Sequence, residues 1–280
     1  MNTGTASARG RRQAKRAADS TAVAAGARAG FAARGVIYVL VGVLAARIAF
    51  SDGGGAQADR GGAIAEIAHR PFGHILLWVL GIALLGMAVW RLSEALFGQA
   101  GPDGGKPGKR AMAAGRCVFY GFVSYSVLSY AAGDRGSGSG STDKKSEDVT
   151  ATALGWPGGQ WIVGIAGVVV AGAGLWIAAR AVMRKYRKHL KMSGMSRNTR
   201  RVVDVTGMFG GSSRGIIFAA AGGFAVAAAV SHQPGRAKGM DDTLRSFADT
   251  PAGPWLLVLV AIGLAAFGAF SMANARWRKV

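Results

Sequence analysis

Arg34-Gly35-Val36-Ile37-Tyr38 opens an apolar stretch, and Pro71-Phe72-Gly73 opens a second one after a polar loop. The pair recurs twice. Arg116-Cys117-Val118-Phe119-Tyr120 precedes Pro157-Gly158-Gly159, and Arg214-Gly215-Ile216-Ile217-Phe218 precedes Pro251-Ala252-Gly253. The Arg-to-Pro spacings are 37, 41 and 37 residues. A unit of two apolar segments therefore occurs three times, and such a period has to be recognised before a fold is assigned.

Half of the 280 residues are hydrophobic and only 17% are charged. The apolar residues lie in blocks, and a helix needs about 20 mostly apolar residues to cross a bilayer. Where a block is shorter, flanking Arg side chains can snorkel to the headgroups. The expected fold is an all-α integral membrane protein with six transmembrane helices, at 30–50, 73–97, 111–133, 158–183, 210–231 and 253–275. A soluble domain built from six helices that are apolar all round would have too little polar surface to coat its core.

The net charge of +20 raises nucleic acid as a partner, but its distribution argues against that reading. Basic residues cluster before the first helix (Arg9 to Arg28), between the second and third (Lys106, Lys109, Arg110), after the fourth (Arg180 to Arg201) and after the sixth (Arg276, Arg278, Lys279). The other three loops mix acids and bases. Positive charge thus alternates from side to side, the positive-inside pattern, which places both termini in the cytoplasm. The alanine-, glycine- and arginine-rich composition goes with a bacterial source, hence the expectation of the bacterial inner membrane. The basic face would meet anionic lipid headgroups. Arg11-Arg12 lacks the surroundings of an export motif, and no small-residue cleavage site closes a short apolar core. The single Cys117 excludes an internal disulfide and reads as a small packing residue.

The organisation that follows is a disordered basic cytoplasmic tail at 1–28 and a first hairpin repeat at 29–98. A second repeat covers 109–187, a basic cytoplasmic linker 188–207, and a third repeat 208–279. The hairpins all enter from one side, so they are parallel repeats about an axis along the membrane normal, and three of them suggest a pseudo-threefold. Residue n should coincide with n+180 between the first and third, as Arg34 with Arg214. Ahead of each Pro-x-Gly lies a short amphipathic segment: Ala63 to Ala68, Val149 to Leu154 and Asp242 to Phe247. The expectation is a helix on the outer leaflet, with a re-entrant segment as the alternative. Residues 133–148 form a flexible Gly/Ser and charged insert. Ala219-x-x-x-Gly223-x-x-x-Ala227, Gly167-x-x-x-Ala171 and the glycines of the second helices offer close backbone approach.

The thrice-repeated Arg-led motif, the polar loop, the Pro-x-Gly and the three-hairpin total resemble a bacterial membrane family known as domain of unknown function 1206. The resemblance covers about 28–278. It implies the architecture and no catalytic residues, because the family carries no assigned activity. The middle copy departs from the pattern: Cys117 replaces the glycine of Gly35 and Gly215, and Met112 stands where Gly30 and Gly210 stand. That implies weaker packing of the first helix of this copy.

Arg34, Arg116 and Arg214, each followed at i+4 by Tyr38, Tyr120 or Phe218, are the candidate lipid- or solute-binding residues. Each Arg could cap the negative end of a neighbouring helix, hold a lipid phosphate bidentately, or snorkel over the ring below it. Ser124, Ser126 and Ser129 are candidate cavity-lining residues, the alternative being bonds to the preceding turn or across to a neighbour. Arg91 and Glu94 are spaced to pair, and Arg47 to snorkel. His69, His74 and His232 do not form a metal-ligand pattern. No nucleotide loop, nucleophile elbow or buried acid pair is present, so no enzymatic activity, cofactor or metal is expected. The reading is a lipid- or partner-protein-binding membrane module. The alternative is a small-solute transporter or channel with a path along the pseudo-threefold axis. The orientation is testable. In a Cys117→Ser background, cysteines at Ser139 and Asp241 should react with an impermeant thiol reagent in intact cells, and cysteines at Ser193 and Asn274 should not.

Overall fold

In a bilayer core a chain must close its backbone hydrogen bonds within itself, so six long apolar segments have to be helices. A computed structural model describes residues 21–50, 57–98, 105–134, 142–248 and 253–279. Six long helices are apolar enough to cross a membrane: α1 (Thr21–Phe50), α3 (Gly73–Phe97), α4 (Pro107–Ala131), α6 (Gly159–Val182), α7 (Arg197–Ser231) and α9 (Gly253–Trp277). Three short helices precede the second member of each hairpin: α2 (Arg60–Ala68), α5 (Thr142–Leu154) and α8 (Met240–Ala248).

Several boundaries differ from the sequence reading. Residues 21–28, expected in a disordered tail, extend α1. Residues 142–148, expected in a flexible insert, are helical in α5. The basic linker is ordered too: its second half is the start of a 35-residue α7. Its first half is pinned by an antiparallel bridge between Leu190 and Arg278 and by Lys191 N–H donating to the Trp277 carbonyl at 2.8 Å. Arg187 holds both oxygens of Asp204, and Tyr186 donates to the Asp204 carbonyl at 2.9 Å. These are charged and polar residues with apolar partners close by, such as Tyr186 against Phe270 at 5.0 Å, and composition alone reads them as solvated. Residues 1–20, the Gly/Ser stretch 135–141 and Pro251 with Ala252 lie outside the described residues.

The long helices form a ring. Each second helix packs on the first helix of the next repeat: α3 on α4, α6 on α7, and α9 back on α1. Within hairpins, α1 packs on α3 and α7 on α9. The inter-repeat contacts rest on missing side chains. A Cβ placed on Gly35 would lie 2.9 Å from the Gly268 carbonyl oxygen, and one on Gly42 2.8 Å from that of Ala261. At the same repeat positions, Gly215 meets Gly174 O and Gly222 meets Gly167 O, each at 2.7 Å. Small residues let backbones approach where lipid supplies no hydrophobic drive. In the middle copy Ser124 occupies the position of Gly42 and Gly222, and its hydroxyl donates to the Gly81 carbonyl at 2.8 Å. A hydrogen bond replaces the close approach there.

The packing frame on α7 is one residue away from the one read in the sequence. Gly223 faces open space, and Gly222 makes the contact. The described side chains of α5 are mostly exposed, whereas α2 and α8 are seated in the bundle and not on its outer surface. Ala58 and Asp59 are fully buried, as are Ala63 of α2 and Leu244 of α8, so these segments are seated inside one mouth of the ring. Asp59 caps α2 by accepting from Gly62 N–H at 2.8 Å, and Ala58 N–H donates to Asp241 at 2.7 Å, tying α2 to α8. The glycine of Pro-x-Gly serves this seat: Gly73 and Gly159 leave room for the carbonyls of Ile67 and Ala153.

The adjacent glycines of α7 give a sign test. Gly222→Ala should destabilise the protein in detergent by about 1–3 kcal/mol through overpacking. Gly223→Ala should stabilise it by up to about 1 kcal/mol through helix propensity. Asp241 and Asn274 are buried, so the orientation test belongs on Gln233 and Ser193, both exposed at opposite ends of the bundle. A cysteine at Gln233 should label in intact cells and one at Ser193 should not. Burial, and then the charge of Arg278, push the His189 imidazole down to about 4. Between pH 6.5 and 4 the unfolded state binds the proton first, so stability falls as pH falls. Amide exchange at Lys191 and Lys279, normalised to intrinsic rates, should accelerate over that window and lose the acceleration in His189→Gln.

Candidate functional site

Among the described residues the three first helices, α1, α4 and α7, share no close backbone packing and meet only through long side chains. The space between them is a cavity of about 270 Å³. At roughly 30 Å³ per water it holds on the order of nine waters, near the lower end of small-molecule pockets. Ile37, Val41, Leu84, Val123 and Ile217 make much of the wall, so the body of the cavity is apolar.

Five of the six repeat residues singled out in the sequence line it: Arg34, Tyr38, Tyr120, Arg214 and Phe218. Their partners come from other repeats. Arg34 Nη1 donates to the Tyr120 hydroxyl at 3.1 Å, and its Nε donates to Ser271 of α9 at 3.1 Å. Arg34 and Arg214 stack on the same Phe267 ring, at 5.2 and 5.0 Å, so the two arginines share one depth. Ser271 lies six residues before the end of α9, about 9 Å along the axis. Arg214 also covers Phe218 at 5.1 Å and Tyr38 at 5.6 Å. Only the Phe218 contact is the i+4 pairing expected from sequence.

The sixth residue, Arg116, does not line the cavity. It is partly buried and donates to the Met112 sulfur of its own helix at 3.2 Å. Ser124, Ser126 and Ser129 are not in the lining either. Ser124 is spent on the α3 contact, where its buried hydroxyl donates to the Gly81 carbonyl of the neighbouring helix. Arg91 and Glu94 do pair, at 2.6 Å, and are almost fully buried. Arg47 reaches Glu66 at 3.9 Å. Arg70 donates to Glu66 at 2.6 Å and holds that carboxyl below its usual range. His69 bonds the Ala65 carbonyl of its own turn. Arg110, which was read only as loop charge, caps α3 by donating to the Ala95 and Leu96 carbonyls at 2.8 and 3.0 Å.

Two further cations line the opposite end of the cavity. Arg60 opens α2 and lies over Phe119 at 5.2 Å. Lys238 donates to Ser246 at 2.6 Å and lies over Phe224 at 4.7 Å. Neither belongs to the repeated motif, since the positions 180 residues away hold Met240 and Ala58. Among the described residues no carboxylate lines the cavity. Among the described residues neither Arg34 nor Arg214 has an ion-pair partner, and Arg214 Nε is buried without a hydrogen bond. The arrangement is a cationic, partly aromatic rim on an apolar chamber. It can hold an anion, and its side chains offer no acid–base pair for bond-breaking.

The family model described as Domain of Unknown Function (DUF1206) matches residues 29–98, 111–184 and 209–278, one match per hairpin. The uncharacterized protein YxxB of Bacillus subtilis (strain 168) is 28% identical over 247 residues, covering 88% of this chain and 87% of the relative. No solved structure matches. With three matches that follow the three hairpins and span most of the sequence, the chain belongs to the DUF1206 family.

Proposed function

We propose that this multi-pass protein works without enzymatic chemistry, by binding an anionic amphiphile in its central cavity. The observation that carries the reading is the pair Arg34 and Arg214, set on an apolar chamber with no carboxylate among the described residues of its wall. Two unpaired cations within the span of a membrane protein are costly, and an entering anion relieves that cost. A guanidinium fork suits a carboxylate or phosphate, and the Tyr120 hydroxyl adds a polar contact beside it. The apolar wall suits a hydrocarbon portion. The basic face from Arg180 to Arg201 would rest on anionic headgroups of the cytoplasmic leaflet.

One observation favours a second reading, passage of an anion along the axis. Cations stand at both ends of the chamber, Arg34 and Arg214 at one and Arg60 and Lys238 at the other. Flux of the bound anion in proteoliposomes separates transport from static binding.

Thermal unfolding in detergent tests the binding reading. Hexadecanoate should raise the melting temperature, because a ligand at a hundredfold excess over its Kd stabilises by about 2.7 kcal/mol. Hexadecanol, the same chain without the charge, should not. The Arg34→Ala/Arg214→Ala double variant should lose the shift. An equal shift with the alcohol, or an undiminished shift in the double variant, would overturn the proposal.

A further inference from the structure

The ring of helices is open at one place. α4 and α6, the two helices of the middle hairpin, share no packing interface among the described residues, although α1 packs on α3 and α7 on α9. The cause is visible in the residues. In the first repeat a Cβ on Gly30 would lie 2.8 Å from the Ala83 carbonyl oxygen, and in the third a Cβ on Gly210 would lie 2.6 Å from Phe267 Cα. Met112 holds that position in the middle repeat, and a methionine side chain forbids the approach. The facing side of α6 is bare as a result. Gly172 has nothing near it and Trp176 is 56% exposed, whereas the corresponding Trp90 of α3 and Phe270 of α9 are 5% and 8% exposed.

The cavity lies behind this gap. Phe119 of α4 and Val170 of α6 line it and are also exposed on the outer surface, 47% and 39%. Phe122 and Val169 continue the apolar lips. Arg116 stands on α4 at the repeat position of Arg34 and Arg214 but does not line the chamber. The opening is apolar along its length and cationic at the level of the arginines. That pattern matches a molecule with an anionic head and a hydrocarbon chain, lying parallel to the helices.

We infer that the cavity is filled sideways from the bilayer through the α4–α6 gap. The occupant is a membrane-resident anionic amphiphile with its head at Arg34 and Arg214. Its chain leaves between Phe119 and Val169 toward the lipid. The inference rests on the binding reading above and specifies its ligand class: the chain is too long for a chamber of about 270 Å³, and the gap accommodates the excess.

The test is photolabelling of the full protein in nanodiscs with hexadecanoate carrying a diazirine at the chain terminus, mapped by peptide mass spectrometry. Labels should concentrate on α4 and α6 around Phe119, Phe122 and Val169, with about a tenfold preference over Val79 of α3 and Ile262 of α9, which also face outward. Excess unlabelled hexadecanoate should remove the labels at the gap and excess hexadecanol should not. Labels spread evenly over the outward faces, or labels at the gap that the alcohol removes equally, would mean ordinary surrounding lipid and would overturn the inference. If such spread labels accompany a melting-point rise that still depends on Arg34 and Arg214, the sideways route fails and the cavity reading stands. If that rise is absent too, both fail.

Discussion

A backbone carbonyl of one helix lying against a glycine Cα of the next is the contact on which this fold depends. Lipid is as apolar as a leucine side chain, so helices in a bilayer gain little by hiding leucines from it. What remains is close packing and the weak polar attraction that short backbone distances allow. Gly35 with Gly268, Gly215 with Gly174 and Gly222 with Gly167 supply these contacts between repeats. Because this contact, or the Ser124 hydrogen bond in its place, joins each second helix to the following first helix, the hairpins turn about one axis and the last meets the first. The axis is left hollow, since the first helices are drawn outward onto their partners and not onto each other.

The middle repeat shows how the same scheme yields two outcomes. At its inter-repeat contact Ser124 substitutes for glycine and bonds the Gly81 carbonyl, so the contact with α3 persists. At its intra-hairpin contact Met112 substitutes for glycine and nothing compensates, so α4 and α6 stay apart. The ring is therefore continuous through the inter-repeat interfaces and interrupted once. Charge follows the same geometry. Arg34 and Arg214 reach one depth and turn inward over Phe267, whereas Arg116 is not in the cavity wall. An asymmetric site arises from a symmetric motif through single-residue differences.

Much of this was legible in the sequence because the period is arithmetic. Spacings of 37 residues in the first and third units fix equivalent hairpins, and glycine or proline at equivalent places leaves little freedom. The Met112 departure was readable as weaker packing, and an open gap is its physical form. Contacts between repeats were not legible. Arg34 finds Tyr120 and Ser271, which lie 86 and 237 residues away, and no local rule pairs them. The Gly222-Gly223 doublet satisfies a small-residue pattern in either frame, and only the position of the Gly167 carbonyl decides between them. Ser124 reads as a cavity hydroxyl until the Gly81 carbonyl of the neighbouring helix is seen beside it. The short helices read as surface-bound because their composition is mixed. Their seat is set by what the long helices leave open, as Ala58, Asp59 and Leu244 show.

The most direct test of the account is a cryo-electron-microscopy map of the protein in nanodiscs formed from bacterial lipid extract. The account expects five closed helix contacts and an α4–α6 gap, with chain-shaped density running from the level of Arg34 and Arg214 out between Phe119 and Val169. A map in which α4 packs on α6 as α1 packs on α3, with side chains filling the axis, would contradict it.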